Sequence, residues 1–172
     1  MTGLLRPFLD RWRLCALLAS AAMLAIAHGF QTFGGFAPCT LCLRQREVYW
    51  VAGTLALIFM VVVRAPGGPR LRQATCWILA AVFIWGAGTA IYHAGAEWKF
   101  WPGPKACSGA GAGDVNVKAM TALLHGAKIR PPACDEAPWV FLGLSMAGWN
   151  ALISLALAGL SAAAALRERS KR

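Results

Sequence analysis

Four long stretches of this 172-residue chain contain no Asp, Glu, Lys or Arg. They cover residues 14–43, 48–63, 73–96 and 137–166. A helix needs about 20 mostly apolar residues to cross a hydrocarbon core about 30 Å thick. The first, third and fourth runs exceed that length. The second has only 16 residues and must borrow from its flanks, which puts Arg44, Arg46 and Glu47 at or just inside a membrane boundary. The runs do not alternate apolar and polar residues, so helices are expected rather than barrel strands. Composition agrees. At 58% hydrophobic and 14% charged, the chain is too apolar for an ordinary soluble domain and is the opposite of a disordered one. The expectation is an all-α membrane protein, one domain over 1–172. Its four-helix bundle has approximate spans 14–32, 44–63, 74–94 and 139–165, with a short outer loop 33–43 and a long outer loop 95–138.

A net charge of +10 suits either nucleic acid or a membrane protein with basic inner loops. Its distribution decides. Four spans leave both termini on one side, which collects Arg6, Arg11, Arg13, Arg64, Arg70, Arg72, Arg167, Arg169, Lys171 and Arg172 against only Asp10 and Glu168. The other side holds seven basic and five acidic residues. Positive residues stay inside, so both termini are expected in the cytoplasm, and the basic excess reflects topology rather than nucleic-acid binding. Arg13, the apolar stretch after it and Ala25-Ile26-Ala27 imitate a cleavable signal, but the apolar run continues past Ala27, which favours retention.

The inner loop contains Pro66-Gly67-Gly68-Pro69, a turn signal. The long outer loop opens with Trp98, Phe100, Trp101 and Pro102, aromatics suited to a membrane interface. Within it Val117, Met120, Leu124 and Ala127 recur at helical spacing, which predicts a short amphipathic helix lying on the membrane or on the protein's own outer face.

Topology also sorts the six cysteines. Cys15 and Cys76 fall near the inner ends of spans, where a free thiol is commonly a small buried hydrophobe. Cys39, Cys42, Cys107 and Cys134 fall outside. The Cys39-Thr40-Leu41-Cys42 spacing closes too small a loop to remove much chain entropy, so it makes a poor structural staple. It suits thiol exchange, because the second thiol can attack a mixed disulfide formed on the first. Zinc also takes four thiolates, but the other pair is spread over 26 intervening residues and the site would lie at a membrane surface. Haem attachment fails because Leu43, not His, follows Cys42.

Arg46 lies four residues after Cys42, one helical turn on. A guanidinium there favours a thiolate at Cys42 and offers hydrogen bonds to a ligand carbonyl; the alternative is snorkelling to lipid headgroups. His93, near the outer end of the third span, is either a donor to a quinone or a proton relay, or else a satisfied interfacial histidine.

Pro38-Cys39-Thr40-Leu41-Cys42 with Arg46 resembles the active loop of the bacterial disulfide bond formation protein B (DsbB) family. Trp101-Pro102-Gly103-Pro104 ahead of Cys107 resembles the start of that family's second periplasmic loop. Cys134-Asp135, then Trp139 and Phe141-Leu142-Gly143-Leu144-Ser145-Met146, resemble the approach to its fourth span. The resemblance implies an inner-membrane dithiol:quinone oxidoreductase that reoxidises a periplasmic DsbA-type thiol oxidase. Cys107 would form the mixed disulfide with that partner and Cys134 would pass electrons to Cys39. Cys42 would lie against the quinone with Arg46 and His93. Ubiquinone is expected ahead of menaquinone, although no residue distinguishes them. A DsbA-type oxidase is itself strongly oxidising, at about −120 mV, so a quinone of higher potential suits the final acceptor. The alternative is a non-catalytic membrane protein with two structural disulfides. A relative of vitamin K epoxide reductase fits less well, because its redox motif comes late in the chain.

Overall fold

The computed structural model describes residues 6–62, 68–103 and 134–170. Four of its helices are long and apolar enough to cross a membrane. In hydrocarbon every backbone N–H and C=O must be satisfied within the protein, and a continuous helix does this within one segment. A short helix α1 (Arg6–Asp10) leads into α2 (Trp12–Thr32), followed by α3 (Thr40–Val62) and α4 (Gly68–Glu97). A two-stranded antiparallel hairpin, β1 (Val140–Phe141) and β2 (Leu144–Ser145), precedes α5 (Met146–Ser170). The chain is a multi-pass membrane protein of four-helix type, as the apolar runs predict.

The helices pack through small residues. Ala80, Ala87 and Ala90 of α4 and Ala147, Ala151, Ala158 and Ala165 of α5 are buried. Small side chains let membrane helices approach closely where water supplies no hydrophobic drive between them. Gly86 illustrates the fit: a Cβ there would lie 2.8 Å from Val48 Cγ1. Phe83 and Leu79 of α4 are fully enclosed, and Phe83 meets Tyr49 of α3. Large apolar residues such as Trp85, Ile84 and Val61 point outward, the inverse of a soluble protein and suited to lipid. Near the termini Trp12 Nε1–H donates to Ser161 Oγ at 2.9 Å and Arg167 pairs with Asp10 at 3.2 Å, tying the chain's two ends together.

Element boundaries depart from the expected spans, and three helices show why. α3 begins at Thr40 rather than 44, so Cys42 lies in its first turn. Charge placed the expected boundary, but the helix starts where it is capped: Leu43 N–H donates to the Cys39 carbonyl at 3.0 Å and Cys42 N–H to Cys39 Sγ at 3.3 Å. α4 covers 68–97 rather than 74–94. It ends in a Schellman closure, with Lys99 at φ 62°, Lys99 N–H bonded to the Ala96 carbonyl and Phe100 N–H to the Gly95 carbonyl. α5 begins at Met146, not 139. Leu142 and Gly143 both take positive φ, 52° and 77°, and turn residues 140–145 back as a hairpin. The expected amphipathic helix at 115–127 and Cys107 lie outside the described residues.

Candidate functional site

At the end of the bundle where α3 starts and α4 stops, a cavity of about 610 Å³ opens between the helices. Met23, Ile26 and Phe30 of α2 and Met146 of α5 give it apolar walls, while Cys39, Cys42, Arg46, His93 and Glu97 bring chemistry to it.

Cys39 is buried and sits at the N-cap of α3. Its sulfur lies 3.1 Å from Cys42 Sγ, and both are free thiols. At the α3 N-terminus Cys42 N–H donates to Cys39 Sγ and the positive dipole end lies at this pair, which favours sulfur bearing negative charge. The Cys39 thiol is pushed above the ordinary thiol range, first by the S–H it donates to Cys42 and then by burial. The dithiol is therefore asymmetric: Cys39 holds the shared proton, and Cys42 receives it as a hydrogen bond on the cavity wall.

Cys134 is disulfide-bonded and fully buried. Its sulfur lies 3.6 Å from Thr40 Oγ1, one residue from Cys39. Neighbouring Asp135 pairs with Lys99 at 2.9 Å, and that ammonium holds its carboxyl below the usual carboxylate range. The ion pair docks the segment carrying Cys134 against the α4 terminus. Gly95 shapes the same corner, because a Cβ there would fall 2.0 Å from the Trp101 ring. Trp101 folds back to stack on Tyr92 and donates Nε1–H to the Tyr92 carbonyl at 2.8 Å.

Arg46 reaches across to α2. Its Nη1–H donates to Gln31 Oε1 at 2.5 Å and its Nη2–H to the Ala27 carbonyl at 2.9 Å. A guanidinium has five N–H donors, more than those two bonds use, and this one lines the cavity beside Cys42. Neighbouring Arg44 pairs with Glu47 in the open.

His93 is buried, with protein groups at both ring nitrogens. Nδ1 accepts from Gln45 Nε2–H at 2.8 Å, and Nε2 lies 3.6 Å from both Cys39 Sγ and Glu97 Oε1. The cavity wall and the dithiol thus share this histidine. Glu97, one turn after His93 on α4, is buried and accepts a hydrogen bond from Ser145 Oγ–H. Gln45, Asn150 and Ser145 carried no signal in an apolar pattern, although Ser145 had one as a helix cap: its hydroxyl accepts Gly148 N–H at 3.1 Å.

Sulfur atoms of Cys39 and Cys42 and a nitrogen of His93 all lie within 4.8 Å of one another, close enough to share a metal. The 3.1 Å sulfur separation is shorter than the about 3.8 Å that two zinc–thiolate bonds of about 2.3 Å impose at a tetrahedral angle. The spacing suits a dithiol better.

A family model described as "Disulfide bond formation protein DsbB" matches residues 10–164. The protein named "Disulfide bond formation protein B" in Methylococcus capsulatus is 31% identical, the match covering 87% of this chain and 91% of that one. The protein of that name in Dechloromonas aromatica is also 31% identical, covering 87% and 86%. In Marinobacter nauticus it is 30% identical, covering 90% of each. No solved structure matches the chain.

Proposed function

We propose that this chain, which belongs to the DsbB family of disulfide bond formation proteins, oxidises the dithiol of a periplasmic DsbA-type oxidase and delivers the electrons to a membrane quinone. The observation that carries the reading is a disulfide-bonded cysteine packed beside a free dithiol that lines the cavity. The segment of disulfide-bonded Cys134 packs against Thr40, and the free Cys39–Cys42 pair lines the apolar chamber.

In this reading the disulfide containing Cys134 and Cys107 accepts electrons from the partner through attack by the partner's thiolate. Cys134, freed as a thiolate, then attacks Cys39 of an oxidised Cys39–Cys42 pair. One S–S bond forms as the other breaks, and Cys42 leaves with the electron pair on the cavity wall. The partner's second thiolate then attacks its own cysteine in the bond to Cys107, so the partner leaves oxidised and Cys107 is freed. Cys107 attacks Cys134, re-forming their disulfide and releasing Cys39, and oxidation of the resulting Cys39–Cys42 dithiol returns the site to its start.

The cavity fits a quinone ring: it has apolar walls, sufficient volume and a guanidinium for a carbonyl oxygen. Cys42 and Arg46 would hold the ring, with His93 at the rear of the chamber. A bound quinone supplies a two-electron, two-proton sink that is soluble in lipid. The position of the charges supports an inner-membrane protein with both termini in the cytoplasm and the redox cysteines in the periplasm.

The test is purified protein mixed with a reduced DsbA-type oxidase and a soluble ubiquinone or menaquinone analogue, followed by quinone absorbance. Reduction that disappears in Cys42→Ser is the expected result. No reduction with either analogue would favour the reading as a membrane protein with structural disulfides.

A further inference from the structure

The polar side chains buried behind His93 form a chain of hydrogen bonds that all run one way. Tyr49 O–H donates to Asn150 Oδ1. Asn150 Nδ2–H donates to Gln45 Oε1 at 2.5 Å, and Gln45 Nε2–H donates to His93 Nδ1 at 2.8 Å. His93 Nδ1 therefore presents a lone pair, so the ring proton belongs on Nε2. That nitrogen faces Cys39 Sγ and Glu97 Oε1, each at 3.6 Å. Cys39 in turn donates to Cys42. α3, α4 and α5 all contribute, and none of Gln45, Tyr49, Asn150 or His93 is more than 8% exposed.

Both amides could in principle be turned round together, which would move the ring proton to Nδ1. Glu97 opposes that. Its Oε2 already accepts the Ser145 hydroxyl, and its Oε1 would then face a bare Nε2 lone pair. At such burial a mispaired lone pair costs more than at the surface, so the Glu97 end selects the orientation, while Tyr49, with Ser154 Oγ 3.0 Å away, is satisfied in either.

We propose that Gln45, backed by Asn150 and Tyr49, is a positioning residue that fixes His93 as its Nε2–H tautomer, so that His93 is a hydrogen-bond donor to the Cys39 sulfur. The inference rests on the thiol relay of the preceding subsection and deepens it. When a thiolate attacks Cys134 within a Cys39–Cys134 bond, a new S–S bond forms to Cys134. Cys39 leaves with the electron pair, and no electrons are lost overall. A fixed N–H donor stabilises that departing thiolate, and a better leaving thiolate leaves faster. His93 keeps its proton throughout. The charged and titratable groups around it are Glu97 on its own helix, Cys39 and Cys42 at the start of α3, and Arg46, Tyr49 and Glu136 on the same cavity wall.

The test uses full-length protein in detergent micelles with ¹⁵N-labelled histidine, the His93 signals being assigned by their loss in His93→Gln. The native protein is expected to show protonated Nε2 and bare Nδ1. Gln45→Glu leaves an acceptor opposite Nδ1 and should move the proton there. Asn150→Asp, which touches neither His93 nor Cys39, should do the same by forcing the Gln45 amide to turn and donate the other way. In a Cys42→Ala background, iodoacetamide alkylation of Cys39 at neutral pH should slow about tenfold with Gln45→Met, the equivalent of one hydrogen bond to a charged group.

A native Nδ1–H tautomer overturns the inference, as does a Gln45→Met protein whose Cys39 alkylation rate matches its parent. Should the variants not fold, the native tautomer still decides. Tautomer and alkylation need neither partner nor quinone. The expected tautomer without quinone reduction upholds the inference and sinks the relay; quinone reduction with the Nδ1–H tautomer does the reverse.

Discussion

Cys39 has two structural roles that bear on its chemistry. Its sulfur caps α3 by accepting Cys42 N–H, and it donates its own proton to Cys42 Sγ. That second bond is the main reason its thiol is held above the ordinary range. Removing the acceptor should therefore lower the pH at which Cys39 becomes a thiolate. In Cys42→Ala, the midpoint of Cys39 alkylation is expected to fall relative to the reduced native pair, with mass spectrometry reporting which cysteine is modified. An unchanged midpoint would mean that burial alone sets it. Arg46 makes a different residue-scale prediction. Its fork binds Gln31 and the Ala27 carbonyl together, which a lysine ammonium cannot reproduce. Arg46→Lys should raise the KM for a quinone analogue about tenfold, the equivalent of one lost charge-assisted hydrogen bond, while KM for the partner protein stays unchanged.

At the scale of elements, helix ends place the chemistry. α3 brings Cys42 to the cavity because it starts at Thr40, α4 brings Glu97 because it runs past 94, and α5 starts at Met146 because Ser145 caps it. Gly95 keeps the α4 end closed under Trp101, so Gly95→Val should displace that ring and destabilise the protein by about 1–3 kcal/mol, the usual cost of overpacking. Denaturant unfolding in micelles measures it; unaltered stability would mean that Trp101 moves aside freely. Ser145→Ala removes a cap and the partner of a buried carboxylate, and should cost at least the about 1 kcal/mol of a lost cap.

The number of spans was legible because a charge in hydrocarbon is expensive, so absence of charge marks them. The span boundaries were not, because Cys39, Lys99 and Ser145 end or start helices through local hydrogen bonds that hydropathy does not register. The dithiol was legible from its spacing. The Gln45–Asn150 chain behind His93 was not, since uncharged amides 105 residues apart meet only in the folded bundle.

For the whole molecule, the proposed function would join a water-soluble thiol chemistry to a lipid-soluble acceptor. The segment with Cys134 packs at the bundle's end, the cavity reaches in among apolar helices, and large side chains face lipid. The proposed function requires the cysteine end to face an oxidising compartment, and the distribution of basic residues predicts termini in the cytoplasm. A fluorescent protein that folds only in the cytosol should fluoresce when fused after Arg172, and alkaline phosphatase at that position should be inactive. The opposite pattern would invert the topology and remove the redox reading of the outer cysteines.

The central claim is the direction of electron flow through two cysteine pairs. Fully reduced protein, without partner, can be mixed rapidly with a ubiquinone analogue, quenched in acid and alkylated, and its disulfides mapped by mass spectrometry over time. The account predicts that the Cys39–Cys42 bond appears first and that Cys107 and Cys134 oxidise after it, with Cys42→Ser leaving all remaining cysteines reduced. Oxidation of Cys107 and Cys134 before Cys39 and Cys42, or unimpaired in Cys42→Ser, would contradict it.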